Sequence, residues 1–270
     1  MLTILFDGVA YGMLLFILAV GLAVTMGLMN FINLAHGAFA MAGGYITVLL
    51  MQRLDVPFLV CLPIAFAVAA LLGAVLESTL YRPMYQKPHL DQVLFSIGLT
   101  LMAVAATDYF MGSTQQIIQL PGFLRGRSEF GTASWTLGMG HYRLFIIAIC
   151  AALAVALQLV LARTRFGSRL RASVDDQRVA AGLGGALGAE VLGLDPTFPL
   201  KFMIYFLIVV AVGGTSSITG PLLAALLLGI ADVAGKYYIP KMGAFIVYSL
   251  MIVILLWRPN GLFVRQGGKA

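Results

Sequence analysis

The chain reads as an all-α membrane protein, a polytopic transmembrane helical bundle of about 8–9 apolar segments forming one domain over residues 1–270. Three observations predict it. Hydrophobic residues make up 61% of the chain and charged residues only 10%, with a mean hydropathy of +0.98. A soluble domain carries about 25% charged residues to keep its surface in water, so this surface must face lipid. Apolar blocks also recur from end to end, and the basic residues gather in the short stretches between them.

A spanning helix needs about 20 mainly apolar residues. The first five blocks, 4–29, 38–51, 58–80, 93–111 and 144–162, meet or approach that length. The start lacks a basic n-region, and its apolar run outlasts a signal h-region, so it reads as a first membrane helix. Four later blocks, 180–194, 202–213, 222–235 and 244–257, are shorter, and several are interrupted by glycine. Such segments in transporters mark broken helices beside the solute path. The run from 202 to 235 reads equally as two spans or as a re-entrant hairpin turning through 213–221.

Orientation follows from Lys and Arg in short loops. Arg163, Arg165, Arg169, Arg171 and Arg178 share one loop, Arg82 and Lys87 another, and Arg258, Arg265 and Lys269 the C-terminus. Two segments separate the Arg82 loop from the Arg163 loop and four separate the Arg163 loop from the C-terminus, so all three can be cytoplasmic. Counting back three helices places the N-terminus outside, and the loop 112–142 is then external. The net charge of +6 is explained by these flanks, and nothing resembles a nucleic-acid module.

Catalytic motifs are missing. No G-x-x-x-x-G-K-[ST] loop is present to cradle ATP, and His36, His89 and His141 lie far apart. The glycines from Gly182 to Gly188 have the wrong spacing for a dinucleotide fingerprint and no strand before them; close helix packing through small residues accounts for them better. Cys61 and Cys150 lie in apolar runs and read as small hydrophobic residues. The chain is therefore expected not to be an enzyme and to hold no metal.

Two polar constellations remain. Asn30, Asn33 and His36, at i, i+3 and i+6, could share one helical face; at membrane depth they need solute, water or another helix as partner, and a helix cap with interhelical hydrogen bonds serves as well. The stretch 163–181 repeats Phe166, Leu170, Val174 and Val179 among arginines and Asp175/Asp176, as a short amphipathic helix on the cytoplasmic face would. Chemistry alone leaves it a lipid anchor or a docking helix.

Five stretches resemble a known family. Gly27-Leu-Met-Asn-Phe-Ile-Asn-Leu-Ala-His-Gly37 is similar to the early signature of the branched-chain amino acid permeases of ABC importers. Tyr81-Arg82-Pro83, the run from Thr164 to Ala172 with Asp176 after it, Gly213-Gly214 with Gly220-Pro221, and Trp257-Arg-Pro-Asn-Gly-Leu-Phe263 follow in the family's order. The resemblance implies a multi-pass permease of the bacterial inner membrane. Its partners would be a second related permease, two cytoplasmic ATPases that bind ATP and Mg, and a periplasmic substrate-binding protein, with no cofactor in this chain. It places the translocation path near Asn30, Asn33 and His36, with Ser96, Thr100, Gly213, Gly214 and Gly220. It makes 163–181 the coupling helix gripped by the ATPase, through Arg165, Phe166, Gly167, Arg169, Arg171, Ala172, Asp175 and Asp176. Family members also carry urea, other amino acids and small amides or acids.

The chain departs from the pattern after Ala181. There Gly182-Leu-Gly184 runs straight into Gly185-Ala-Leu-Gly188, as though about 20 to 25 residues, one helix, were missing across 182–188. A strained or shortened crossing is expected, and an internally deleted, inactive relative stands as an alternative. A secondary transporter or channel would place ionisable residues within helices; Glu77, Asp108, Asp232 and Lys236 are few and near helix ends. The external loop, with Arg125 and Arg127, is the expected docking surface for a binding protein.

Overall fold

The computed structural model describes residues 1–29, 31–132, 135–163, 175–215, 217–259 and 261–262. Nine α-helices occupy the described residues: α1 Leu2–Met29, α2 His36–Leu54, α3 Phe58–Leu76, α4 His89–Met111, α5 His141–Arg163, α6 Asp175–Leu192, α7 Phe198–Gly213, α8 Thr219–Tyr238 and α9 Gly243–Trp257. The tail of α3 widens into a π turn over Glu77–Tyr81 and tightens into a 3₁₀ turn over Arg82–Met84. Five helical stretches are long and apolar enough to cross a membrane: Leu2–Gly27, Phe58–Met84, His89–Met111, His141–Leu159 and Thr219–Tyr238. An integral, multi-pass protein follows from their length and apolarity.

Helix α1 is apolar on every side and is buried from Gly12 to Thr25, as a helix at the centre of a bundle must be. Helix α3 divides its apolar residues instead. Phe58, Cys61, Leu62, Ala65, Ala69 and Gly73 face inward, while Leu59, Val60, Phe66, Leu71, Leu72 and Val75 are exposed. Exposed apolar side chains at this density suit contact with lipid tails, not water.

The glycine-rich block forms the second central helix. Helix α6 is buried without interruption from Ala181 to Ala189 and packs on α1, α2 and α3. A Cβ at Gly182 would collide with the Ala69 methyl, and one at Gly185 with the Ala40 carbonyl. The small-residue packing read from the sequence is thus the observed role of these glycines. The crossing expected at 180–194 begins earlier, at Asp175, because no proline or glycine interrupts 175–181. Of its 18 residues, the apolar part is Ala180–Leu192, shorter than the roughly 20 residues of a straight span.

That start also redraws the expected coupling helix. Residues 175–181 of that segment form the start of α6, where Ala180 and Ala181 continue its small-residue face. Residues 164–174 lie outside the described residues.

One departure from an all-helical chain lies in the loop 112–142. There Arg127–Thr132 and Trp135–Gly140 form an antiparallel hairpin, β1 and β2. The Gly138 N–H donates to Thr3 Oγ1 at 3.1 Å, and Arg143 pairs with Asp7, so hairpin and α5 are tied to the start of α1. Gln116 pairs with Leu194 in an isolated bridge. The start of α1, the α2–α3 turn, the hairpin and the α6–α7 turn therefore share one end of the bundle. The end of α1, the α3–α4 turn, the α7–α8 link and the end of α9 share the other.

Candidate functional site

The family-like stretches meet in two places. The first is the linker between α1 and α2. Asn33 is not helical: its Oδ1 accepts from the Ala35 N–H at 3.1 Å, the local side-chain bond by which asparagine competes with a helix. Asn33 and His36 therefore do not share the expected helical face, and Asn30 lies outside the described residues. Asn33 and His36 are nonetheless 1% and 2% exposed.

The linker enters the bundle well away from either end. The Thr100 hydroxyl reaches the Leu34 carbonyl at 3.5 Å, and Thr100 stands midway along α4. The His36 ring meets the edge of Phe206, midway along α7, at 6.4 Å. A Cβ at Gly37 would press on Pro199, so His36 opens α2 hard against α7. Tyr81 closes the other side. Its hydroxyl donates to Asn33 Oδ1 at 3.1 Å, and its ring packs edge-on against Phe31 and Phe95.

Helix α4 supplies a facing wall. Gln92, Ser96 and Thr100 recur every four residues and are all buried, while Leu94, Leu101 and Met102 beside them are exposed. Continued at the same spacing, the stripe passes Val104 and reaches Asp108 at the end of the helix that carries the hairpin. Ser96 and Thr100 donate to the carbonyls of Val93 and Ser96 at 2.9 and 2.8 Å. Gln92 donates to the Lys87 carbonyl at 3.0 Å, and its buried Oε1 meets no donor among the described residues. Gln92 was absent from the sequence-derived set, although its spacing from Ser96 and Thr100 was legible there. Tyr81 was noted only as part of a motif.

The second meeting place is the opposite end. Gly213 abuts Gly220 and Pro221, Gly27 abuts the Thr215 carbonyl, and a Cβ at Gly261 would stand 2.9 Å from the Gly214 nitrogen. The Leu262 N–H donates to the Val212 carbonyl at 2.8 Å. Gly213, Gly214 and Gly220 thus belong to a packing node that joins α1, α7, α8 and the turn after α9. Gly214, with φ of 81°, takes a left-handed conformation that a Cβ disfavours. Seven residues, about 10 Å of helix, separate the node from Phe206 under His36.

Of the expected coupling residues, Asp175 and Asp176 open α6; Arg165, Phe166, Gly167, Arg169, Arg171 and Ala172 lie outside the described residues. Asp232 and Lys236, weighed as coupling charges, pair within α8, with the Asp232 carboxylate fully buried. Tyr205 approaches that carboxylate at 3.5 Å, and Lys236 lies over the Tyr11 ring.

Comparison with known proteins gives one consistent result. The family described as branched-chain amino acid transport system / permease component matches residues 4–186. The permease protein BraD of Pseudomonas aeruginosa is 27% identical over 97% of this chain and 95% of its own length. The Escherichia coli K12 permease LivH is 24% identical over 97% and 94%, and LivM of the same organism is 26% identical over 93% and 68%. All three are named as permease proteins of high-affinity branched-chain amino acid transport systems. No solved structure matches significantly. A match over two thirds of the chain, with relatives aligned along nearly all of it, places this protein in the family of branched-chain amino acid transport system permease components.

Proposed function

We propose that the chain is one of two related membrane subunits of an ATP-driven importer of branched-chain amino acids in a bacterial inner membrane. The observation that carries this reading is the buried polar wall. Gln92, Ser96 and Thr100 line the buried face of α4, and Thr100 meets a linker that carries the buried Asn33 and His36 into a largely apolar bundle. Polar groups at membrane depth are costly and mark solute paths. A branched-chain amino acid needs both parts of such a lining, polar groups for its charged ends and apolar neighbours for its side chain.

The charge distribution supports the N-terminus outside and the C-terminus cytoplasmic. The end holding the α3–α4, α5–α6 and α7–α8 links and the chain's end carries ten of the 17 basic and four of the 11 acidic residues. The hairpin end has equal numbers of each, so the whole formal +6 belongs to the other end. Cytoplasmic placement of that end obeys the positive-inside bias. All nine helices then alternate in direction, α7 and α8 as two crossings.

The chain has no phosphate-cradling loop of its own, so energy comes from two cytoplasmic ATPases docked on the basic segment 163–181. The second permease is a homologue of this chain, as LivM is of LivH, and the hairpin end receives a periplasmic substrate-binding protein. The test is co-purification in mild detergent with the ATPases and sister permease of the same organism. Stoichiometric recovery, lost when Arg169, Arg171 and Asp176 are replaced together, supports the assignment. Recovery unaffected by that replacement would move the docking site elsewhere.

Two observations favour a second reading. The alignment with BraD runs over 293 positions against a chain of 270 residues, and the family match ends at residue 186, inside the suspected junction 182–188. An internally deleted relative would still form α6, which starts at Asp175, but would have sacrificed part of its coupling segment. Such a chain would fold and recover no ATPase.

A further inference from the structure

At the hairpin end, the polar stripe of α4 opens into a cleft of about 480 Å³ between α4 and the α6–α7 turn. That volume falls within the roughly 300–1,000 Å³ of small-molecule sites. One wall is apolar, with Leu101, Val104 and Ala105, and ends in Asp108. The other holds Asp195 and Lys201. Asp195 accepts from the Thr197 N–H and hydroxyl at 2.8 and 2.5 Å and pairs with Lys201. Lys201 has one donor committed to Asp195; its side chain is 58% exposed, leaving hydrogen-bonding capacity for an anion. Asp108 accepts from Ser113 at 2.7 Å through Oδ1, which leaves Oδ2 for a cation. Within electrostatic reach of both carboxylates is Tyr45, only 5% exposed. Its hydroxyl meets no partner among the described residues.

A site with an unpaired carboxylate on Asp108, spare ammonium donors on the ion-paired Lys201 and an apolar wall between them matches one ligand class, an α-amino acid zwitterion with an aliphatic side chain. A lone ammonium compound would leave the spare Lys201 donors unused, a fatty acid would leave the Asp108 charge unmet, and such unpaired groups separate cognate from non-cognate ligands. Resting on the permease reading above, we propose that this cleft is the outer recognition site of the path. Asp108 takes the ammonium, Lys201 the carboxylate, and Leu101, Val104 and Ala105 the branched side chain. The Tyr45 hydroxyl is the first buried polar group the ligand meets further in. From there the stripe continues to Thr100 and the Asn33–His36 linker.

The test uses the full importer complex in proteoliposomes, with Ala105→Cys as reporter and Leu101→Cys as a second should the first disturb assembly. The native cysteines, Cys61 and Cys150, are buried. The rate of labelling by a membrane-impermeant maleimide is measured with millimolar leucine, 3-methylbutylamine or 4-methylpentanoate. The expected result is several-fold slowing by leucine, little by either analogue, and loss of protection with Asp108→Asn or Lys201→Met. Equal protection by an analogue lacking one charge would overturn the zwitterion assignment. No protection by leucine overturns the site, and leucine import by the same vesicles then shows whether the permease reading survives it.

Discussion

Tyr81 donates its hydroxyl to Asn33 Oδ1 at 3.1 Å across 48 residues of sequence. The bond joins the turn after α3 to the linker between α1 and α2, and it is buried at both ends. Two family-like stretches that look independent in sequence are thus halves of one contact.

Removing the hydroxyl leaves the Asn33 amide oxygen with its bond from Ala35 alone. Tyr81→Phe should lower stability by about 1 kcal/mol, and Asn33→Ala somewhat more, because it also removes the Ala35 bond. In a double-mutant cycle read by thermal unfolding in detergent, the two should couple by about 1 kcal/mol. Strict additivity would show that the linker is held by its packing and not by this bond.

The closest helix approaches run through α6. Gly185→Ala sets a methyl against the Ala40 carbonyl, a backbone atom that moves only if α2 and α6 part. The protein should lose its monodisperse peak on size exclusion, whereas Gly98→Ala, with nothing within 4 Å, should behave as the native chain. Overpacking of a rigid contact costs about 1–3 kcal/mol. A well-folded Gly185→Ala protein would contradict this packing.

Asp232 is buried while its partner Lys236 is half exposed. Removing the lysine leaves a carboxylate inside the bundle with only the 3.5 Å contact from Tyr205; removing both charges leaves none. Lys236→Met should therefore destabilise by roughly 3 kcal/mol, and the double variant with Asp232→Leu should recover much of the loss. The check is the order of thermal midpoints. A double variant weaker than the single would assign the pair a positive contribution beyond mutual compensation.

The α6–α7 turn should be sensitive to acid. Burial acts to raise the Asp195 pKa, but hydrogen bonds from Lys201 and Thr197 and the Lys201 charge outweigh it and hold the carboxyl below its ordinary value. A depressed folded-state pKa contributes stability that is present above the unfolded value of about 3.9 and is lost as pH falls through the lower folded value. Between about pH 5 and 3 the native protein should lose more stability than Asp195→Asn, measured as unfolding midpoint against pH. Parallel curves would contradict the account.

The bundle was legible because its signal is compositional. Blocks such as 58–80 and 93–111 are apolar for a full span, and the structure moves their ends by a few residues. Glycines at 182 and 185 announced close packing through their own smallness. The linker was not legible, since Asn33 and His36 at i and i+3 fit a helix and only the Asn33 side-chain bond to Ala35 shows that none forms. The mouth of the path escaped for a different reason. Asp108 and Lys201 are 93 residues apart and neither is unusual alone, so only the tertiary pairing of Gln116 with Leu194 brings their segments together. The hairpin over 127–140 carries no strong alternation and passed as loop.

The central claim is met most directly by reconstituting the chain with its sister permease, ATPases and binding protein in proteoliposomes and following labelled leucine. The account predicts accumulation that requires ATP, requires this chain, and falls at least several-fold when Thr100 and Asn33 are replaced by leucine in an assembled complex. An assembled, ATP-hydrolysing complex that accumulates no leucine, isoleucine or valine above the ATP-free control would contradict it.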